Sequence, residues 1–523
     1  MSEIALLAVE NIISRKKRRP QQQLTFYIEV ENLGFHKQVD VIWAGESGEW
    51  QSCPAAFQHQ WRAGLECWQA QMLFSATETT PLPGNIQFGL RLRCEGREYW
   101  DNRDGLNYHS DADSGFLLGH ERKMAHIVSQ NRLQPGQKSL ELRVLVNTAL
   151  QPQQVHVHWS VDDWQSLRKT DAHSAVLYWD KLCRSNARNP NQYGVQVWTT
   201  RLRIGRHFRL QYSIACQGRA ETVWDNNAGQ NYVISHKPLS LLVLNLHCYQ
   251  ESQQDEKFST IARAIDEQQI DVVCFQEAAE NWNDGQGDWS SNAANIINQR
   301  LKAPLHLFYD WSHLGFDRYR EGVALLSRYP LIEPEGRYVS ESQDPYNIHA
   351  RKAVKASLKV PYMGLIQVFS VHLSWWENGF SAQFGRLHEW ASQTRSKEMK
   401  ANLLGGDFNV AAGSEGYRLV VQHYGYEDQY LQANQQGLSA QRFRVDDAHW
   451  GDYLSNDYRI DFVFANRGHD LKCTSATTLF TEHDYGRVSD HVGYLFRFEP
   501  NIQPASAFRR GVAQYKNKAR KED

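Results

Sequence analysis

Alternation of apolar and polar positions runs through the first 236 residues. Residues 25–30, 39–43, 141–146 and 153–159 alternate with period two and are separated by turn residues. Such runs predict antiparallel strands that bury one face, and their grouping predicts two β-sandwiches. Beyond Leu239 the pattern changes. Continuous apolar runs at 241–244, 272–275, 323–326, 365–369, 403–404 and 460–464 alternate with helical stretches at 256–268, 292–301 and 381–393. Strands apolar on both faces belong to a sheet covered on both sides, so this half predicts an α/β sandwich.

The first half also repeats itself. Tyr99-Trp100-Asp101-Asn102-Arg103-Asp104-Gly105-Leu106-Asn107-Tyr108 returns 124 positions later as Val223-Trp224-Asp225-Asn226-Asn227-Ala228-Gly229-Gln230-Asn231-Tyr232. Upstream, Trp43 and Trp159 close a second matching pair of strands. Repetition at this period means two whole domains rather than a solenoid. The expected organisation is a module over residues 20–112, a linker over 113–136, a second module over 137–236, an α/β domain over 237–499 and a basic polar tail over 500–523. The linker rests on Asp111-Ala112-Asp113-Ser114-Gly115 and Gln134-Pro135-Gly136-Gln137, both rich in turn formers.

Composition narrows the class. At 523 residues the chain exceeds a single core, and 41% apolar with 22% charged residues is ordinary for a soluble globular protein. A formal net charge of −2 lacks the basic excess that neutralises many phosphates, so nucleic acid is not an expected partner. The eight cysteines form no CxxC pair, and several sit in apolar runs, as small buried hydrophobes do in a reducing compartment. Apolar residues 4–9 precede the basic run 15–19, the reverse of a secretory signal, and no stretch has the length of a membrane span. The expectation is a cytoplasmic protein with a frayed N-terminus and no membrane partner.

Five short polar motifs close apolar runs in the second half: Asn245-Leu246-His247, Gln276-Glu277, Val371-His372-Leu373, Gly406-Asp407-Phe408-Asn409 and Ser489-Asp490-His491. Each alone would be an ordinary turn or a solvated polar segment. Together they offer a hard metal ligand, a water-positioning carboxylate and two histidines, the parts that phosphoryl transfer needs.

The set, in this order, resembles the endonuclease/exonuclease/phosphatase superfamily over roughly residues 239–498. The resemblance implies a four-layered α/β sandwich and assigns roles position by position. Glu277, Asn245 and Asp490 match the residues that line the metal, expected to be Mg²⁺ with Mn²⁺ as a substitute. Asp407 and Asn409 match the pair that orients and activates water. His372 and His491 match the histidines at the phosphoryl oxygens, Asp461 the acid that holds His491, Glu321 the glutamate that supports His372, and Arg351 a phosphate-contacting arginine. His247 receives no role.

Within that superfamily the segments at 311–324, 339–342, 350–352 and 372–376 resemble bacterial maltose-6'-phosphate phosphatases, which implies a phosphomonoester on a disaccharide. Trp375 and Trp376 follow His372 directly, and an aromatic face suits a sugar ring. One of the two is expected in the core. Gln383, Arg386 and His388, on the helix that follows, face either the pocket or solvent.

The repeated Trp-Asp-Asn motif resembles carbohydrate-binding module family 21, found in starch and glycogen binders. It implies glucan contacts from Asn102 and Asn107 with upstream Asn32 and Lys37 in the first copy. In the second copy it implies Asn226, Asn227, Asn231 and Tyr232 with Trp164. Trp164 is expected to be exposed and Trp224 to contribute to stability. The rival readings are a phosphodiesterase on the same fold, nuclease or sphingomyelinase-like, and a non-catalytic glycogen-binding scaffold. An exposed apolar hairpin, the mark of a lipid substrate, is not evident in the sequence.

Overall fold

On the strand Gln21–Glu31 the alternation becomes two faces: Leu24, Phe26, Ile28 and Val30 are fully buried, while Gln23, Tyr27 and Glu29 are half-buried. The computed structural model describes residues 3–502 except 15–18, 35, 63, 78, 129, 131, 176–193, 284 and 436–458. Its chain divides into two units, Met1–Lys237 and Pro238–Asp523. The expected tail beyond residue 502 lies outside the described residues.

Among the described residues, four antiparallel sheets build the first unit. One sandwich closes over Phe26, Ile28, Val41, Phe88 and Leu90, and the other over Leu142, Val144, Val157, Leu210 and Ile214. Two expectations fail here. The N-terminus is not frayed: Ile4–Ser14 is a strand paired with both Gln21–Glu31 and Gly115–Leu118. The segment 113–136 is not a free linker, because Gly115–Leu118 completes the first sandwich and Met124–Val128 pairs with Leu140–Asn147 in the second.

Burial explains both corrections. Ile4, Leu6 and Val9 enter the first sandwich core, while Ala8 and Ile12 pack with Phe116, Leu118, Ala125, Ile127, Leu145 and Val197 in a separate apolar cluster. That cluster joins a sheet of one module to a sheet of the other. An apolar face of this kind is withdrawn from water only when the two sandwiches pack together.

The second unit is the expected four-layered α/β sandwich, with a seven-stranded and a six-stranded sheet among the described residues. Each sheet contains one parallel pair: Leu239–Asn245 with Val272–Asn283, and Gly364–His372 with Met399–Asp407. A crossover helix joins each pair, Gln254–Glu267 in the first and Phe380–Gln393 in the second. Phe258, Ile261 and Ile265 cover one sheet, and Phe380, Phe384 and Leu387 cover the other. Between the sheets the approach is close. A Cβ at Gly405 would stand 3.1 Å from Val243 and 3.4 Å from the sulfur of Cys274. All four parallel strands end at the same side, where α/β sheets bind ligands.

Candidate active site

Asn245, His372 and Asp407 are the last residues of their strands, and Glu277 follows the parallel-paired stretch that ends at Gln276, within the longer strand Val272–Asn283. Glu277 lies in a β-bulge between Phe275 and Ala278 and has φ +47°. His247 and Asn409 also adopt left-handed backbone, at +47° and +52°. Non-glycine residues rarely do so, and such strain collects at functional sites. Here it re-aims strand-terminal side chains into a cavity of about 520 Å³. Glu277, Glu321, Arg351, His372, Asp407, Asn409, Asp490 and His491 all line it, as do His247 and Trp375.

Asn245 ties the two sheets together at the cavity floor. Its Nδ2 donates to Glu277 Oε1 (2.9 Å) and to Asp407 Oδ2 (3.0 Å), while its Oδ1 accepts from His247 N (3.0 Å). Asp407 Oδ1 accepts from Asn409 N (2.9 Å), and Asn409 Nδ2 donates to Leu373 O (2.9 Å). His372 Nε2 lies 3.9 Å from Glu277 Oε1 and 3.8 Å from Asp407 Oδ2. His491 Nε2 also lies 3.8 Å from Asp407 Oδ2, and its Nδ1 donates to Asp461 Oδ2 at 2.7 Å. The expected Asp461–His491 pair is therefore present in the geometry.

Burial and charge separate the two histidines. His372 is held well below the ordinary imidazole value by burial, then by Arg351, His313 and His491. Burial acts on His491 in the same sense, but Asp461 and Asp407 outweigh it and raise it well above that value. Two groups of one type thus present a neutral imidazole and an imidazolium to one cavity, the division that acid–base chemistry uses. Glu277 and Asp407 are each pushed up to about 7, by burial first and then by Glu321 and Asp461 respectively.

Among the described residues, three clusters of side chains could hold a metal ion: Glu277, Glu321 and His372; Asp407, Asp461 and His491; and His247, Glu251 and Asp490. The first fits a hard divalent cation, since two inward carboxylates at the cavity wall repel unless a positive charge lies between them. Of the expected trio, Glu277 and Asp490 line the same cavity and Asn245 bonds Glu277. Asn245 spends its amide on the neighbouring carboxylates, and Asp490 stands 3.5 Å from His247, which pairs with Glu251 at 2.9 Å.

Glu321 departs from expectation in its partner. It lies 3.2 Å from His313 Nε2 and 3.9 Å from Arg351 Nη1, and no hydrogen bond joins it to His372. The intervening residue is His313, buried beside it on the neighbouring strand of the hairpin His306–Gly315 and Tyr319–Ser327. Sequence reasoning gave His313 no role; its place in the segment 311–324 was the available signal. Trp375 lines the cavity, while Trp376 packs against the Phe380 core. Gln383 bonds Ser374, Arg386 bonds Val339 O and His388 bonds Tyr426, so none of the three lines the cavity.

In the first unit, much of the repeated motif builds its own turn. Asn102 Oδ1 accepts from Gly105 N (3.1 Å) and Asn226 Oδ1 from Gly229 N (3.0 Å). The backbones of Asn107 and Asn231, both left-handed, bond back to Asn102 O and Asn226 O. Tyr108 and Tyr232 donate to Asp101 and Asp225. Tyr232 and Asn227 are buried, the latter donating to Asn231 O. The Lys37 side chain is covered and donates to exposed Asn32, Gly34 O and Glu66. The tryptophans also reverse expectation: Trp224 is 48% exposed, whereas Trp164 is half-buried in a left-handed turn.

Comparison with family models matches residues 242–491 to the Endonuclease/Exonuclease/phosphatase family. Residues 6–111 and 121–235 match Carbohydrate/starch-binding module (family 21). The chain couples an endonuclease/exonuclease/phosphatase domain to two family-21 modules. Among solved structures, the domain is similar to an endonuclease/exonuclease/phosphatase family protein from Leptotrichia buccalis C-1013-b. That match has 24% identity and TM-score 0.43, and covers 50% of this chain and 99% of that one. The mannosyl-6-phosphatase of Bacteroides thetaiotaomicron VPI-5482 is 15% identical, with TM-score 0.37 and coverage of 50% and 99%. The human Nocturnin catalytic domain with bound sulfate is 19% identical, with TM-score 0.38 and coverage of 50% and 94%. No curated protein matches the chain. The phosphatase-family domain is a phosphoesterase domain, and among the described residues no helix is long and apolar enough to cross a membrane.

Proposed function

We propose that the phosphoesterase domain is a Mg²⁺-dependent phosphomonoesterase acting on a sugar phosphate, maltose 6'-phosphate or a related phosphorylated glucan, with Mn²⁺ as a substitute. The observation that carries this reading is the charge of the cavity. Among the described lining residues Arg351 is the one Lys or Arg, against five carboxylates. One phosphoryl group with its cation is matched there; a strand of flanking phosphates is not. Buried Arg351 Nε has no hydrogen-bond partner among the described residues, which suits an acceptor oxygen of that phosphoryl group.

The residues divide the reaction between them. Glu277 with Glu321 would hold the cation, which supplies charge neutralisation to the phosphoryl oxygens. Asp407, near neutral in pKa, takes a proton from the attacking water, and Asn409 Oδ1 orients that water because its Nδ2 is committed to Leu373. Imidazolium His491, held by Asp461, donates to the phosphoryl or leaving oxygen. Trp375 offers a face to the sugar. The family-21 modules bring the enzyme to glycogen or a starch-like polymer, chiefly through Trp224 of the second copy, and a two-module chain gains avidity. The seven described cysteines are all free, which suits the cytoplasm.

The test is phosphate release with Mg²⁺ from maltose 6'-phosphate, glucose 6-phosphate and a phosphorylated glucan, beside nicking of plasmid DNA. Release from the sugar esters without nicking is expected. Nicking without release would make the domain a diesterase. Asp407→Asn should lower release about a thousandfold or more, as expected of the group that handles the water.

A further inference from the structure

Phe316 lies at the tip of the hairpin between His306–Gly315 and Tyr319–Ser327, where Arg318 N closes on Gly315 O (3.0 Å). Phe316 and Asp317 both have positive φ, +52° and +54°. A two-residue turn with both central residues left-handed favours Asn-Gly or Asp-Gly, and a bulky aromatic there is strained. The strained ring is nonetheless left 68% exposed, so it gains little from burial in the fold. Tyr346 repeats the pattern on the loop that follows Ser340. It is 69% exposed, and its backbone N–H is fixed by Asp344 Oδ1 (3.0 Å).

These rings are not on independent loops. Leu314 N donates to Pro345 O (2.7 Å), and His313 Nδ1 donates to Ala350 O (3.1 Å), so the hairpin and the Tyr346 loop are bonded at two points. Asn378 Nδ2 bonds His349 (3.1 Å), which ties that loop to the turn carrying Trp375. Phe316, Tyr346 and Trp375 all line the cavity whose floor holds Glu277 and Asp407. Preformed, exposed aromatic faces beside a reaction centre are what a ligand can use without ordering cost.

We infer that Phe316 and Tyr346 form, with Trp375, an aromatic subsite that holds the leaving-group sugar of the phosphoester, and that this subsite sets the preference for a pyranose leaving group. The inference rests on the monoesterase reading above. The occupant is a sugar by continuity with the cavity and by charge: a pyranose offers an apolar C–H face and carries no charge, and Asp317, next to Phe316 in the cavity lining, disfavours an anionic leaving group.

The experiment compares kcat/KM for maltose 6'-phosphate, glycerol 3-phosphate and adenosine 5'-monophosphate in the full chain with Mg²⁺, for the wild type, Phe316→Ala and Tyr346→Ala. Ile332→Ala, exposed and outside the cavity lining, is the control. Each aromatic variant should lower the ratio of maltose 6'-phosphate to glycerol 3-phosphate about tenfold, mainly through KM, with Tm unchanged. A ratio equal to that of the wild type overturns the subsite. A wild type that prefers the nucleotide, with that preference lost in both variants, overturns the sugar as occupant. Release from none of the three esters sinks the monoesterase reading itself, and the subsite falls with it.

Discussion

His313 Nε2 lies 3.2 Å from Glu321 Oε1, while His313 Nδ1 donates to the carbonyl of Ala350 next to Arg351. One buried imidazole therefore links a candidate cation carboxylate to the backbone of the candidate phosphate-binding arginine. Burial raises the Glu321 carboxyl, but His313 and Arg351 outweigh it and hold it below the ordinary range, so it stays ionised for a cation. His313 is a positioning residue, acting through Glu321. Partners of this kind cost about ten- to a hundredfold in metal affinity or activity when removed. His313→Ala should lower kcat by that order and raise the Mg²⁺ concentration for half-activation, and His313→Gln, which retains a donor, should recover part of both. If Mg²⁺ activation is unmoved in His313→Ala, the residue only packs.

Cation removal should have a pH-dependent cost. Glu277 and Asp407 are pushed up to about 7 from 4.5 and 3.8 in the metal-free fold. A carboxyl raised by folding keeps a proton that the unfolded chain has released, so stability falls as pH rises from about 4 towards 7. The metal-free protein should lose Tm between about pH 5 and pH 8, and added Mg²⁺ should restore more at pH 8 than at pH 5. Thermal melts with a chelator at both pH values check this; equal Mg²⁺ stabilisation at the two would contradict it.

Trp224 is exposed beside His158, with ring centroids 5.1 Å apart. Trp224→Ala should weaken binding to a soluble glucan while changing stability by no more than about 0.5 kcal/mol, as exposed substitutions do. Affinity electrophoresis in glycogen gels with a parallel denaturant melt separates the two effects. A large loss of stability would restore the structural role expected from sequence.

Asn226 should behave in the opposite way. Its side chain caps the turn at Gly229, so Asn226→Ala should cost about 1 kcal/mol in the first unit whether or not glucan is present. Chemical denaturation measures it. Lost glucan binding with unchanged stability would instead make Asn226 a direct contact.

The sequence by itself determined the order of layers and the place of the chemistry. Period-two alternation demands strands with one dry face, continuous apolar runs demand a covered sheet, and polar residues closing those runs emerge where the covered stretch ends. Hence Glu277, His372, Asp407 and His491 were legible as one set. The short strands Gly115–Leu118 and Met124–Val128 were not, because each is only a few residues long and turn formers surround them; the packing of one sandwich on the other makes them strands. Tertiary structure alone also decided which atoms pair. Glu321 meets His313 rather than His372, Asn245 bonds two carboxylates, and Tyr232 is buried where Trp224 is open. Those choices depend on backbone turns, bulges and the approach of chain segments far apart in sequence, and a pattern of residue types carries no record of such distances.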